Sequence, residues 1–204
     1  PAYNEGLTIE ENVKSLLSLN YNNYQVIVVN DGSKDNSMEI LTKTYDLVLT
    51  DLEFHPKIET KKIRGIYTSK NAAFKKLIVV DKENGGKADA LNAGINVASM
   101  DVLACIDVDC ILSSDSISRM VRPFMEETNR KVIAVGGVIG IANNCDVQDG
   151  TVTHYRIPES TLGKFQVIEY FRAFLMGRMA WSRINGLMLI SGAFGFFKTD
   201  LVRK

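Results

Sequence analysis

Short continuous apolar runs alternate along this chain with stretches whose apolar residues recur every three to four positions, a rhythm that predicts β-α units. The runs at 24–30 (YQVIVVN), 77–80 (LIVV) and 102–106 (VLACI) are bounded by polar turn residues, so each reads as a buried strand. Thr8 and Glu11 offer a capping box, and Ile9, Val13, Leu16 and Leu17 continue at helical spacing to about Asn20. Residues 31–37 read as a turn that caps a second helix, and Ala88, Leu91, Ile95 and Ala98 mark one face of a third. Ser114 can cap a helix carrying Ile117, Met120, Val121, Phe124 and Met125, which Pro123 should kink or shorten. The run 131–140 is strand-like, with glycines that suggest a bulge or a close backbone approach, and the polar stretch 143–156 reads as a loop.

Leu162, Phe165, Ile168, Phe171, Phe174, Leu175 and Met179 predict a long helix from Thr161 to about Arg183 with a wide apolar stripe. Core packing is the default for such a stripe, and lying on a membrane interface is the alternative. Residues 187–197 close the pattern as a strand broken by small residues. Only between 47 and 76 does the rhythm loosen. There, residues 57–76 hold seven Lys or Arg against one Glu, the signature of a solvated loop or hairpin or of a surface facing phosphates or an anionic leaflet.

Composition narrows the picture. With 204 residues and 46% hydrophobic content the chain can bury a core and reads as one domain. The 24 basic and 24 acidic residues cancel, so no overall field draws nucleic acid. The three cysteines, Cys105, Cys110 and Cys145, are odd in number with no histidine nearby in sequence, which predicts buried free thiols. The apolar stretch 184–197 is shorter than the roughly 20 residues a membrane span needs. Loop chemistry at Pro1 and the unpunctuated end at Lys204 suggest a piece of something longer.

Candidate chemistry gathers at strand ends. If the strand continues past Ile106, its period of two places Asp107 and Asp109 on one side at the carboxyl edge, where open α/β sheets bind ligands. Two converging carboxylates there suit a divalent cation, Mg²⁺ or Mn²⁺, although strand-end acids facing solvent would look the same. Gly85 and Gly86 before a helix let backbone approach a ligand, and Lys87 in the first turn opposes the helix dipole, which points to an anionic ligand. Asp31 and the stacking-capable Tyr3 fall on the same edge. Together these groups suit a nucleoside diphosphate carrying a leaving group.

The segments PAYNE (1–5), VNDGS (29–33), GGKADALN (85–92) and DVD (107–109) stand in the order of the motifs of glycosyltransferase family 2, which this chain resembles. GKFQVIEY (163–170) and SGAFG (191–195) are similar to its processive, membrane-embedded synthases of poly-N-acetylglucosamine, hyaluronan and cellulose. The resemblance implies a GT-A fold, an α/β architecture with a mostly parallel, Rossmann-like sheet flanked by helices. It also implies inverting, metal-dependent transfer from a UDP-sugar donor to a glycan acceptor. Tyr3, Glu5 and Asp31 would then contact uridine, Lys87 the diphosphate, Asp107 the donor and Asp109 the metal, with Ser191, Gly192 and Ala193 at the acceptor site. The family's first strand, its later acidic motif with the general base, and its membrane helices are not among these 204 residues. The expectation is therefore a single, incomplete catalytic domain on the cytoplasmic side of an inner (plasma) membrane protein. It would meet the membrane through segments outside this chain, and by itself it would be inactive in transfer and prone to self-association. A sugar nucleotidyltransferase or a non-catalytic nucleotide-sugar sensor would share the cleft.

Overall fold

The computed structural model describes residues 1–204 apart from 55, 108, 109, 127–130, 149 and 188. In the first half, α1 (Ile9–Leu17), β1 (Val26–Asp31), α2 (Ser37–Thr44), β2 (Leu47–Leu49), β3 (Ile63–Ser69), β4 (Leu77–Lys82) and α3 (Lys87–Val97) follow one another. The second half contains β5 (Val102–Ile106), α4 (Ser116–Met125), β6 (Ala134–Gly136), β7 (Asp146–Gln148) and β8 (Thr151–His154). After these come α5 (Thr161–Tyr170), a π-helical segment (Phe171–Gly177), α6 (Arg178–Arg183), β9 (Phe194–Lys198) and α7 (Thr199–Val202).

The strands β1-β4-β3-β2 form a mixed sheet, and β5-β9-β6 form a second, antiparallel one. β1 and β4 run parallel in register from Val26↔Leu77 to Asp31↔Lys82, whereas β3 is antiparallel to both β4 and β2. The α/β class therefore holds, but the sheet is mixed rather than mostly parallel. The cause lies in the excursion at 47–76: the seven-residue link from β3 to β4 is too short for a helical crossover, which leaves β3 antiparallel to β4, and β2 then adds to its outer edge.

Alternation along β1 builds three layers. Val26 and Val28 face Ile9 and Val13 of α1 and Leu41 of α2, while Val29 faces Ala90, Ala93 and Val97 of α3. Small residues let α3 approach closely: a Cβ on Gly94 would stand 3.3 Å from the Val29 side chain. A third cluster joins Leu112, Met120, Phe194 and Phe196 around the second sheet. A cavity of about 460 Å³ separates the sheets, lined by β1, α3 and β5. On the cavity side of β1, Ala2 forms a parallel bridge to Asn30, with Ala2 N donating to Val29 O at 2.8 Å and Asp31 N to Ala2 O at 2.9 Å.

Long-range polar contacts fasten the ends of α3. The Arg203 guanidinium donates to the carbonyls of Ile95, Asn96 and Ala98 and so caps its C-terminus. Buried Asn96 accepts from the amides of Lys57 and Ile58 and pins the basic excursion to the helix. Three expectations need correcting. Thr8 makes no capping bond; its hydroxyl turns back to Glu5 (3.2 Å), whose carbonyl already accepts the Thr8 and Ile9 amides. Residues 143–156 contain the β7–β8 hairpin. Finally, the helix expected in the core buries none of its described residues, with Leu162, Phe165, Ile168, Phe171, Met176, Met179 and Trp181 all exposed.

Candidate active site at the sheet edge

The carboxyl ends of β1, β4 and β5 meet the loops that the sequence singled out. The link from Ala2 to Asn30 brings the Tyr3 loop beside the end of β1. Three residues of the Asp31 turn then hold this loop: Asn4 N donates to Ser33 Oγ (3.0 Å), Glu5 N to Ser37 Oγ (3.0 Å) and Gly6 N to Asp35 Oδ2 (2.8 Å). Asn4 in turn accepts from Lys34 N through its side-chain oxygen (2.9 Å) and adopts φ 57°, a left-handed conformation that Asn tolerates. The Ser37 hydroxyl, helped by the Gly6 amide, holds the Asp35 carboxyl below its ordinary value. The result leaves Tyr3 46% exposed, its ring free to receive a flat partner.

Asp31 is placed on this edge but turned inward, 3% exposed. Its carboxylate accepts from Lys82 Nζ (2.6 Å), Gly85 N (3.0 Å) and Gly86 N (2.8 Å), and its carbonyl accepts from the Asn84 side chain (2.8 Å). The sequence pattern had put Asp31 forward as a ligand contact; here it first organises the glycine loop. Gly86 is the residue before α3 and takes φ +86°, a backbone that side chains other than glycine's rarely adopt.

That turn delivers Lys87, whose Nζ lies 2.6 Å from Asp107 Oδ1, both groups being partly exposed. The pair joins the α3 motif to the end of β5. Asp109 lies outside the described residues. β9 runs antiparallel to β5 with Phe194 opposite Ile106, so Ser191, Gly192 and Ala193 enter at the same edge as Asp107. The Ala193 amide donates to Ser191 Oγ at 3.4 Å, and Gly192 has open space where a side chain would be. Asp107 offers a hard, accessible oxygen suited to a Mg²⁺-type cation, which keeps much of its shell for water and phosphate oxygens. Among the described residues no group of three or more His, Cys, Asp or Glu forms a cage.

Residues to which the sequence assigned no role complete the site: Ser33, Asp35 and Ser37 as clamps, and Lys82 with Asp89 beneath the glycine loop. The Ser-Lys-Asp-Asn-Ser run after Gly32 was the available signal, since such residues bond neighbouring amides readily. The three cysteines are not joined in disulfides and are half-buried rather than fully buried, and burial pushes the Cys105 thiol upward.

A layered α/β domain with a mixed sheet flanked by helices, whose edge collects loops from the ends of β1, β4 and β5, has the architecture of a GT-A fold. Residues 1–77 and 60–201 match glycosyl transferase family 2, and the chain belongs to that family. It is 33% identical over 204 residues to a poly-β-1,6-N-acetyl-D-glucosamine synthase of Staphylococcus epidermidis, a match covering 98% of this chain and 39% of that protein. The synthase of the same name from Staphylococcus aureus strain COL is 32% identical over 205 residues, covering 98% and 38%. The chain thus spans about two fifths of the length of these curated relatives.

Proposed function

We propose that this chain is the donor-binding catalytic domain of an inverting glycosyltransferase that moves N-acetylglucosamine from its UDP donor onto a growing polysaccharide. The observation that carries the reading is the Lys87–Asp107 pair, set at the sheet edge between the clamped Tyr3 loop and the Ser191–Ala193 turn. Tyr3 and Glu5 would flank the uridine, with Asp31 contributing its remaining carboxylate lone pair and the loop it orders. Lys87 would leave Asp107 for the diphosphate, and Ser191, Gly192 and Ala193 would seat the acceptor sugar. Asp107, with Asp109, would hold Mg²⁺ or Mn²⁺, which when bound supplies charge neutralisation for the departing phosphate. The sugar is suggested by the names of the relatives.

An inverting displacement also requires a base for the acceptor hydroxyl. Glu169 is unsuited, because its bonds to Arg172 lower its carboxyl below the ordinary value. The base is therefore proposed to lie elsewhere than in the helix. The apolar surface of α5 to α6 is in turn proposed to face a lipid leaflet. Among the described residues no helix is long and apolar enough to cross a membrane.

The test is UDP release and polymer formation by the full-length protein supplied separately with UDP-N-acetylglucosamine and UDP-glucose, in Mg²⁺ or Mn²⁺. Turnover of the first, reduced at least about 100-fold by Asp107→Asn, is the expected result. An unimpaired Asp107→Asn variant, or preference for UDP-glucose, would overturn the assignment.

A further inference from the structure

Lys82 is fully buried at the end of β4, and each of its three N–H donors has an acceptor. Its ammonium reaches Asp31 Oδ1 and the Glu83 carbonyl, both at 2.6 Å, and Asp89 Oδ1. These acceptors come from three places: the end of β1, the loop after β4 and the first turn of α3. Parallel pairing explains the convergence, because Asp31 and Lys82 are register partners on neighbouring strands. Asp31 in turn accepts from the Gly85 and Gly86 amides. Asp89 accepts from the Lys61 amide at 2.9 Å, which ties in the basic excursion. A single buried cation therefore ties the end of β1, the loop after β4 and the first turn of α3 together around the turn that presents Lys87.

Such a group costs desolvation unless every donor is satisfied, and removing the cation alone would leave two facing carboxylates. Burial by itself would lower the Lys82 ammonium, yet the bonds to Asp31 and Asp89 prevail and raise it, so it stays charged at neutral pH. A simpler apolar pair could fill the same space. What the ion triad adds is direction: three fixed acceptors set the angle at which α3 leaves the sheet.

We propose that Lys82 is a positioning residue for the donor's diphosphate, acting through Asp31 and Asp89 to hold the Gly85–Gly86 turn and hence Lys87 before ligand arrives. This rests on the donor-site reading above. Lys82 touches no substrate itself.

The experiment is calorimetric titration of the full-length protein with UDP in saturating Mn²⁺, as a double-mutant cycle. The perturbing change is Lys82→Met with Asp89→Asn, which preserves the net charge of the triad, and it is made in wild-type and Lys87→Ala backgrounds. The expected result is a loss of about tenfold or more in the wild-type background and less than about twofold in the Lys87→Ala background, because the lost group is the one being positioned. Lys82→Arg should recover most of the affinity. Equal losses in both backgrounds would mean a general structural effect, and no loss in the wild-type background would mean no role; either overturns the proposal. Should the charge-preserving variant fail to fold, Asp89→Asn alone takes its place in the same cycle. Failure of the unaltered protein to bind UDP would instead overturn the donor-site reading.

Discussion

At the residue scale, the Lys87–Asp107 pair is a contact made to be exchanged. Both groups are accessible to water, so their attraction contributes little to stability, roughly 0–1 kcal/mol. A lysine on a diphosphate in a partly dry cleft is worth more, about 1.5–3 kcal/mol for a charged hydrogen bond, or about 10–100-fold in affinity. Lys87→Ala should therefore weaken UDP binding by that factor while leaving the melting temperature nearly unchanged, as calorimetry and circular dichroism can check. The triad below behaves in the opposite way. For Asp89, burial pulls its carboxyl upward, but Lys82 and the Lys61 amide outweigh it and set it below 3.8. A depressed carboxyl contributes stability that is present above its unfolded value and is lost as pH falls through the folded one. Lys82, raised above 10.5, contributes stability that is full below that value and is lost as pH climbs through its higher folded one. Urea unfolding should therefore show Asp89→Asn least stable relative to wild type at neutral pH, with the gap closing below about pH 4. A gap constant down to pH 3 would remove Asp89 from the pH dependence.

At the element scale, α3 is held from both ends, and the two ends do different work. Its N-terminus carries the proposed site, while its C-terminal carbonyls depend on Arg203, more than a hundred residues away. A half-buried guanidinium on helix carbonyls gains from both hydrogen bonding and the helix dipole, so Arg203→Ala should cost about 1–2 kcal/mol. Hydrogen exchange should then rise in the last turn of α3 and in α7, with UDP affinity retained. The elements that were legible in the sequence are those whose own residues determine them: β1, β4 and β5 from apolar runs, and α3 from small apolar residues at helical spacing after paired glycines. Those that were not depend on distant partners. Thr151, Val152 and Thr153 were too short a β-branched run, set among polar neighbours, to announce the β7–β8 hairpin. Lys82 stands just beyond the apolar run 77–80, and nothing local reveals that Asp31 and Asp89 converge on it. The site was legible as an ordered set of motifs, and the polar run after Gly32 hinted at amide-binding side chains, but the partners of Ser33, Asp35 and Ser37 lie about 30 residues away, where no local pattern names them.

At the scale of the whole molecule, stability and exposure are divided between two regions. The three buried clusters draw on the two sheets, α1 to α4 and the segments beside them, whereas no described residue from 161 to 183 is buried. Apolar side chains on nearly every side of a helix call for a cover, since exposed patches of this kind mark interfaces. The charges indicate its sign. Lys164, Arg172, Arg178 and Arg183 face a single acid, Glu169, which is itself bonded to Arg172. An anionic leaflet satisfies both requirements, burying the aromatic and aliphatic groups while each basic residue near the surface adds about 1 kcal/mol of attraction. The expected outcome is that this polypeptide binds vesicles containing phosphatidylglycerol and ignores neutral phosphatidylcholine ones. Hydrogen exchange at 161–183 should be fast in solution and slow on the anionic vesicles, while β1, β4 and α3 stay protected in both states. Raising the salt should weaken binding, because screening shortens the reach of the four cations. Replacing Phe165 and Phe171 with Ser should weaken it without changing the salt dependence, since apolar burial is insensitive to screening. If 161–183 exchanges slowly without lipid and the polypeptide is a dimer at the same concentration, a second copy is the cover and the leaflet is not.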